Sequence, residues 1–394
     1  MKFTFVSNYI NHHQIPFCEA MRERLGDGFR FLQTMPMEEE RRRMGWGVDL
    51  SELPYVSCLY DDEAAGERLI EQSDIVLFGW TERMDLEQKR LESGRPVIRE
   101  SERLYREGQW KAVSPRGLLH KYSEHIKWRG SDCYLLCAGA YTASDFALLR
   151  AYPGKMYSWG YFPPLRTYTD TQLKTFKAEE DGKLRILWAG RFLALKHPEY
   201  ALKLAEHLKA RGIAFHLDMI GSGDTEQALR EQARQSGVSD SVAFLGFLPP
   251  QEVRAYMERA QIFLFTSNHL EGWGAVVSEA MNSACAVVAG SEAGAVPSLI
   301  RQGVNGVIYR GEDEKDFLAG ADWLCDHPDR RRAIGEAAYA TIRDLWNAET
   351  AADRLTAFSE HILDPAGHPF ECPDEGPLSR ARIIRPYMNV PELK

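Results

Sequence analysis

Short β-rich runs alternate with longer amphipathic stretches along most of this chain, and that alternation limits the fold more than any other feature of the sequence. A strand followed by a helix rejoins its sheet parallel to itself, so the pattern predicts an α/β fold with helices on both faces of parallel sheets. In the first half, KFTFV (2–6), DIVLFG (74–79), PVIRE (96–100) and CYLLCAG (133–139) read as strands. Helical stretches such as Gln14 to Leu25 and Ala64 to Glu71 lie between them. The second half is more regular, with RILWAG (185–190), FHLDMIG (215–221), VAFLG (242–246), IFLFTS (262–267), AVVAG (286–290) and GVIY (306–309). The chain thus reads as two doubly wound units, and a length of 394 residues also favours two domains.

Pro163 and Pro164 open a polar stretch, TYTDTQLKTFKAEEDGK, that has no strand signal. The expected division is a first domain over 1–162, a linker over 163–183 and a second domain over 184–345. Residues 346–394 are expected to supply a helix crossing back to the first domain and then an extended tail. Two such domains should face each other across a cleft, with ligands beyond the carboxyl ends of the strands.

The net charge of −9 has the wrong sign for a surface devoted to nucleic acid, and no nucleic-acid partner is expected. Seven cysteines, at 18, 58, 133, 137, 285, 325 and 372, form no CxxC pair and no cluster at zinc spacing. Free thiols in a reducing compartment follow. The amino terminus, MKFTFVSNYINHHQ, has too short an apolar run for a signal peptide. Glu279 and Asn282 interrupt the most apolar stretch, Gly274 to Gly290, which falls short of the ~20 residues a membrane span needs. A soluble, cytoplasmic protein is expected.

The charge is unevenly spread. Arg95 to Gly130 holds nine bases and four acids, a local +5 that leaves −14 for the rest. Tyr105, Trp110, Leu118, Leu119, Tyr122 and Trp128 are interleaved with those bases. Such a segment suits peripheral contact with anionic lipid heads at the inner face of a membrane, although solvated helix faces explain it equally well.

Two constellations point to chemistry. Gly190, Arg191 and Lys196 follow the strand RILWA and lead into the helical stretch Pro198 to Lys209. The glycine permits a tight turn, and two cations on one loop can grip a pyrophosphate, or can simply be solvated. Glu271, Gly272, Trp273, Gly274 and Ala275 follow the strand IFLFTS and open a helix containing Glu279. Free amides and the helix dipole at that start favour an anion. Among Ala275, Val276, Val277, Ala280 and Met281, the Glu279 carboxylate needs donors. The two hydroxyls of a ribose would serve, as would a buried arginine or backbone amides; Glu271 would lie near a bound sugar or be a charge at the helix start.

GRFLALKHP (190–198), MIGSGDTE (219–226), VAFLGFLPPQEV (242–253) and EGWGAVVSEAM (271–281) together resemble the carboxy-terminal domain of retaining GT-B-fold glycosyltransferases of the group 1, family 4 type. The resemblance runs from Arg185 to Gly306 and more weakly to Leu363. It implies two Rossmann-like domains and a nucleotide-diphosphate-sugar donor, a UDP- or GDP-sugar. The acceptor would be a saccharide or a lipid-linked sugar, in cell-surface polysaccharide biosynthesis. It assigns Arg191 and Lys196 to the pyrophosphate, Glu279 to the ribose, Glu271 to the transferred sugar and the amides of Gly272 to Ala275 to sugar hydroxyls and phosphates. Gly221, Ser222, Gly223 and Phe247 would border the base. No metal or other cofactor is implied, and the chain has no Asp-x-Asp triplet.

The first half resembles that family less. The loop after the first strand carries Asn11, His12 and His13, candidates for donor phosphates or acceptor, with a structural loop role equally open to either histidine. Glu100 and Glu102 follow PVIR as candidates for positioning the acceptor hydroxyl, or as partners of Arg99, Arg103 or Arg106. Transfer by same-face attack, with the leaving phosphate taking the acceptor proton, is what the resemblance implies. A non-catalytic nucleotide-sugar binding subunit and a nucleotide-sugar epimerase on the same fold are the alternatives. No strand opens into G-x-G-x-x-G, which speaks against a dinucleotide-dependent dehydrogenase.

Overall fold

The computed structural model describes all residues except 43, 44, 46, 179, 180, 386–390, 392 and 394, and for Glu40, Lys111 and Val113 only the backbone. Two compact units divide the chain: Met1–Pro164 with Trp346–Ile384, and Leu165–Leu345 with Arg385–Lys394.

Among the described residues of the amino-terminal unit, β1 (Phe3–Ser7), β2 (Phe29–Gln33), β3 (Val56–Cys58), β4 (Ile75–Phe78), β5 (Val97–Ser101), β6 (Cys133–Ala138) and β7 (Met156–Trp159) form one sheet. Its order is β3-β2-β1-β4-β5-β6-β7, and every pairing is parallel. All residues of β1 and β4 are buried, as central strands covered on both faces require. The pattern in the sequence had not singled out β2, β3 or β7. β3 is three residues with no buried side chain, and β7 alternates half-buried and buried residues at the edge, so neither presents an apolar run. The final helix, Ala348–Leu363, packs on the helix Ile15–Leu25, where Arg24 is paired with Glu349 at 2.8 Å and Asp353 at 2.5 Å. Phe358 sits edge-on to Tyr134, with ring centroids 5.2 Å apart.

In the carboxy-terminal unit, β8 (Leu184–Ala189), β9 (Phe215–Ile220), β10 (Val242–Gly246), β11 (Ile262–Phe265), β12 (Ala286–Gly290) and β13 (Val307–Tyr309) form a parallel sheet ordered β10-β9-β8-β11-β12-β13. Each matches a run legible in the sequence to within two residues. Its core joins Trp188, Phe192, Leu204, Met219, Leu264, Val288 and Phe317. From Leu165 on, the stretch expected to be a linker belongs to this unit and carries a helix, Asp170–Phe176. A capping box between Thr169 and Gln172 starts that helix, so polar spacing there encodes a helix start and not merely a loop.

Strand order reverses between β8 and β11, and between β1 and β4 in the other unit. Loops leaving such a switch point diverge to opposite faces and open a crevice at the carboxyl edge of the sheet. Both constellations of the second half leave the switch-point strands β8 and β11.

Candidate functional site

The β8 and β9 loops lie against each other. Gly190 N donates to Ile220 O at 3.0 Å, Phe192 N to Ser222 O at 2.9 Å and Gly221 N to Gly246 O at 2.8 Å. Gly221 has φ +136°, and a Cβ there would stand 1.9 Å from Gly190 O, so the contact requires glycine. Ser222 and Gly223 are exposed above it, Phe247 is half exposed, and the exposed Arg191 side chain makes no hydrogen bond or ion pair among the described residues.

Lys196 is held from two directions. Its carbonyl accepts from Thr266 Oγ1 at 2.5 Å, and Thr266 in turn receives the Trp188 indole N–H at 2.8 Å. Its ammonium is paired with Glu271. The β8 and β11 loops are also joined by Asn268 N to Leu195 O at 3.0 Å, so the spacing that looked suggestive in sequence is a contact in space. A diphosphate would compete with Glu271 for that ammonium.

Gly274 has φ +92° and caps the helix Ala275–Asn282. A Cβ there would lie 2.6 Å from Phe265 Cζ, so the chain passes this close to β11 only as glycine. Val277 N is bonded back to Gly274 O at 3.0 Å, which leaves the amides of Gly274, Ala275 and Val276 outside the helical ladder, as at any helix start. The Trp273 ring is buried beneath the loop at 1% exposure, so only its backbone can face a ligand.

Glu279 stands on this helix, and burial pushes its carboxyl up to about 7 against the pull of Arg254 and Arg166. Among the described residues no group donates a hydrogen bond to the carboxylate itself. The alternative partners weighed from sequence are therefore half present: buried Arg254 and half-buried Arg166 act on the carboxylate through their charge, but neither hydrogen-bonds it. Sequence reasoning missed Arg254, Arg166 and Asn282; the asparagine at the end of an apolar helix was the available signal.

In the amino-terminal unit, Asn11 is a turn residue. Its side chain accepts from His13 N at 3.0 Å and donates to Gln14 Oε1 at 2.9 Å, leading into the helix Ile15–Leu25. The His12 and His13 rings touch, with centroids 3.8 Å apart, and burial with the neighbouring His12 lowers His13 to about 3, so both are neutral near pH 7. Glu102 is occupied by Arg106 and by Tyr161 OH at 2.7 Å, which ties it to the loop and not to an open position. Glu100 differs: burial alone raises its carboxyl to about 8, and its nearness further raises the thiol of Cys18. At neutral pH it is mostly protonated, a form that can donate a hydrogen bond but cannot act as a base. Asp145, fully buried, was not singled out by the sequence; it shapes the loop after β5 by accepting from Tyr105 N at 3.0 Å and Arg103 Nε at 3.4 Å.

The basic segment is partly neutralised inside the unit. Arg99 is paired with buried Glu87, Arg103 with Asp145, Arg106 with Glu102 and Lys121 with Glu124. Exposed Arg116, Lys127 and Arg129 remain, beside Trp110 at 68% and Leu119 at 73% exposure. Among the described residues, His269, Glu292 and Glu312 bring metal-ligand atoms within 4.8 Å of one another. No helix of the described residues is long and apolar enough to cross a membrane. All seven cysteines are free thiols.

Residues 170–341 match the family described as "Glycosyl transferases group 1". The amylovoran biosynthesis glycosyltransferase AmsK of Erwinia amylovora is 33% identical over 45% of this chain and 45% of its own. A D-inositol 3-phosphate glycosyltransferase of Nocardia farcinica is 31% identical over 46% of this chain and 42% of its own. The chain thus spans less than half the length of these curated relatives. Among solved structures, Anabaena Alr3699/HepE in complex with UDP covers 91% of this chain and 100% of its own at TM-score 0.65 and 14% identity. A glycosyltransferase from Rickettsia africae covers 93% of this chain and 100% of its own at TM-score 0.64 and 13% identity. The chain has the GT-B fold, and its residues 170–341 belong to the glycosyl transferases group 1 family.

Proposed function

We propose that the chain is a retaining, metal-independent glycosyltransferase that moves a sugar from a UDP- or GDP-sugar to a saccharide or lipid-linked acceptor in cell-surface polysaccharide assembly. One observation carries this reading: at the β8–β11 switch point of the matched family domain, exposed Arg191, the Lys196–Glu271 pair and the start of the helix bearing Glu279 converge. Two cations and free helical amides suit a diphosphate, and an open carboxylate one turn on suits a ribose. The name of AmsK supports a polysaccharide role, and the UDP complex of HepE supports a nucleotide donor.

In the proposed reaction the acceptor hydroxyl oxygen bonds to the anomeric carbon as the bond from that carbon to the phosphate oxygen breaks. The electron pair leaves with the diphosphate, and the hydroxyl proton passes to the departing phosphate oxygen on the same face. Arg191, Lys196 and the helix amides stabilise the charge that grows there. Glu271 orients the sugar. We assign acceptor contacts to the loops after β1 and β5, where protonated Glu100 donates a hydrogen bond and neutral His12 and His13 stand at the β1 loop.

A lipid-linked acceptor accords with peripheral membrane contact through the helix Pro115–Glu124, in which no residue is buried. Leu119 and Tyr122, at 73% and 56% exposure, would enter the interface beside Arg116. Binding to phosphatidylglycerol vesicles that Leu119→Glu does not weaken would contradict that contact.

The decisive test is transfer of a labelled sugar: Lys196→Ala and Glu279→Ala should each abolish it while the circular dichroism stays unchanged, and near-normal turnover in both would sink the proposal. A donor bound tightly with no turnover against an acceptor panel would identify a binding subunit. Isomerisation without change of mass would identify an epimerase.

A further inference from the structure

β4 leaves its sheet at the switch point beside β1, and the residues that follow it are fastened on both sides. Gly79 N donates to Val6 O at 2.8 Å. A Cβ on Gly79 would stand 3.0 Å from Phe5 Cε2 and 3.1 Å from Ser7 Oγ, so glycine lets the ends of β1 and β4 lie close. The Trp80 carbonyl accepts from Asn8 N at 2.7 Å and from Ser7 Oγ at 3.2 Å. Thr81 Oγ1 meets Thr34 Oγ1 at 2.9 Å and accepts from Arg83 N at 3.1 Å. The backbone around Trp80 is thereby tied to the loops after β1 and β2, but its side chain is not held. The indole is 62% exposed and, among the described residues, makes no hydrogen bond and no ring contact. A single exposed apolar side chain is ordinary on a surface. Trp80 differs in its place, at the carboxyl edge where ligands of such sheets lie, and in a backbone that fixes where the indole stands.

The side chains that fasten it, Ser7, Thr34 and Thr81, are neutral. Gln33 Nε2 donates to Tyr60 OH at 2.9 Å and Gln33 Oε1 accepts from Ile10 N at 3.1 Å, which ties an amide and a phenol, 46% exposed, to the β1 loop. Arg83, three residues beyond Trp80, is paired with Asp85 at 2.7 Å and with Glu63 at 2.8 Å. The helix Pro115–Glu124 is different, because its exposed apolar residues stand beside Arg116 and suit an anionic membrane surface. A flat aromatic surface among hydroxyls and amides suits an uncharged ligand that is apolar on one face and hydroxylated around its edge. A pyranose ring is such a ligand: the C–H groups of one face pack on the indole while the hydroxyls keep polar partners.

We propose that Trp80 is the stacking platform for a pyranose ring of the acceptor, so that the group presented to this unit is a saccharide and not a bare lipid. This rests on the assignment of acceptor contacts to the amino-terminal unit under the proposed function. It adds a contact on the β4 loop to those on the β1 and β5 loops.

The experiment is saturation-transfer NMR of the methyl glycosides of glucose, galactose and mannose, in both anomeric forms, with the full chain. Wild type should saturate the ring C–H protons of at least one of them. Trp80→Ala should lose that signal and Trp80→Phe should keep most of it, with circular dichroism and the calorimetric binding of UDP or GDP unchanged in both. In transfer of a labelled sugar to the same glycoside, Trp80→Ala should raise the acceptor KM about tenfold with kcat within about threefold, because the stacking is made equally in the ground and transition states. Absence of saturation in wild type by all of these glycosides, or equal signals in wild type and Trp80→Ala, overturns the inference. So does a loss of binding to phosphatidylglycerol vesicles in Trp80→Ala with the glycoside signals unchanged, which marks a membrane contact. If the glycosides bind through Trp80 but no UDP-, GDP- or ADP-sugar gives transfer, the glycosyltransferase reading fails and the acceptor assignment falls with it. If transfer proceeds with the same acceptor KM in wild type and Trp80→Ala, the inference alone fails.

Discussion

Replacing Glu100 by glutamine separates a buried carboxyl from a solvated one by sign and size. Burial raises this carboxyl from an ordinary 4.5 to about 8, with no charged group contributing. The unfolded chain therefore releases the proton near the ordinary value, and the folded chain holds it until the pH nears 8. A folded pKa above the unfolded one means a contribution to stability that is complete at low pH and lost as the pH climbs through that window. Each pH unit in the window costs up to ~1.4 kcal/mol, so the whole span is an upper bound of ~5 kcal/mol. Glu100→Gln keeps the shape and removes the proton. Urea unfolding of both proteins, followed by tryptophan fluorescence from about pH 5 to about pH 9, gives a difference curve in which every other titrating group cancels. The variant should gain on wild type up to about pH 8 and then run parallel to it. A difference that stays within ~0.5 kcal/mol across the range would refute burial of Glu100, and with it the assignment of a protonated hydrogen-bond donor on the acceptor side.

Other outcomes can be checked more briefly. Gly274→Ala forces a methyl group to within 2.6 Å of Phe265 at φ +92°, so thermal unfolding should show a loss of ~1–3 kcal/mol together with weaker nucleotide binding. An unchanged melting temperature would show that the loop adapts. Lys196→Ala should weaken binding of a nucleoside diphosphate by about tenfold or more, with a flatter dependence on salt; equal salt slopes would remove Lys196 from the phosphates. In the wild type, nucleotide affinity should fall about tenfold per pH unit below about 7, because Glu279 must be ionised to accept the ribose. A flat titration profile between about pH 5 and about pH 8 would contradict that role.

The carboxy-terminal unit was far more legible in the sequence than the amino-terminal one, for a physical reason. β8 to β13 are mostly central strands with apolar runs, and glycines mark the loops that leave the switch point. The amino-terminal unit includes β3 and β7, short edge strands whose partial burial leaves no apolar run. Its β1 loop is organised by an asparagine turn with no glycine-rich signature. The segment opened by Pro163 and Pro164 read as a linker because its residues are polar, yet the same residues supply a helix cap.

The succession of strands along the carboxy-terminal half and the spacing from Gly190 to Lys196 and from Glu271 to Glu279 were legible in the sequence alone, because periodicity and loop position are local properties, whereas the order of strands in each sheet was not. Which carboxylates carry charge was not a local property. Glu102 and Glu100 are two residues apart and look equivalent on paper. Folding gave Glu102 the Arg106 and Tyr161 partners that keep it occupied, and buried Glu100 without a counter-ion. Folding also brought Arg166 and Arg254, distant in the chain from Glu279, onto the Asn282 amide beside it. Protonation depends on desolvation and on charges arriving from elsewhere in the chain, and tertiary packing decides both.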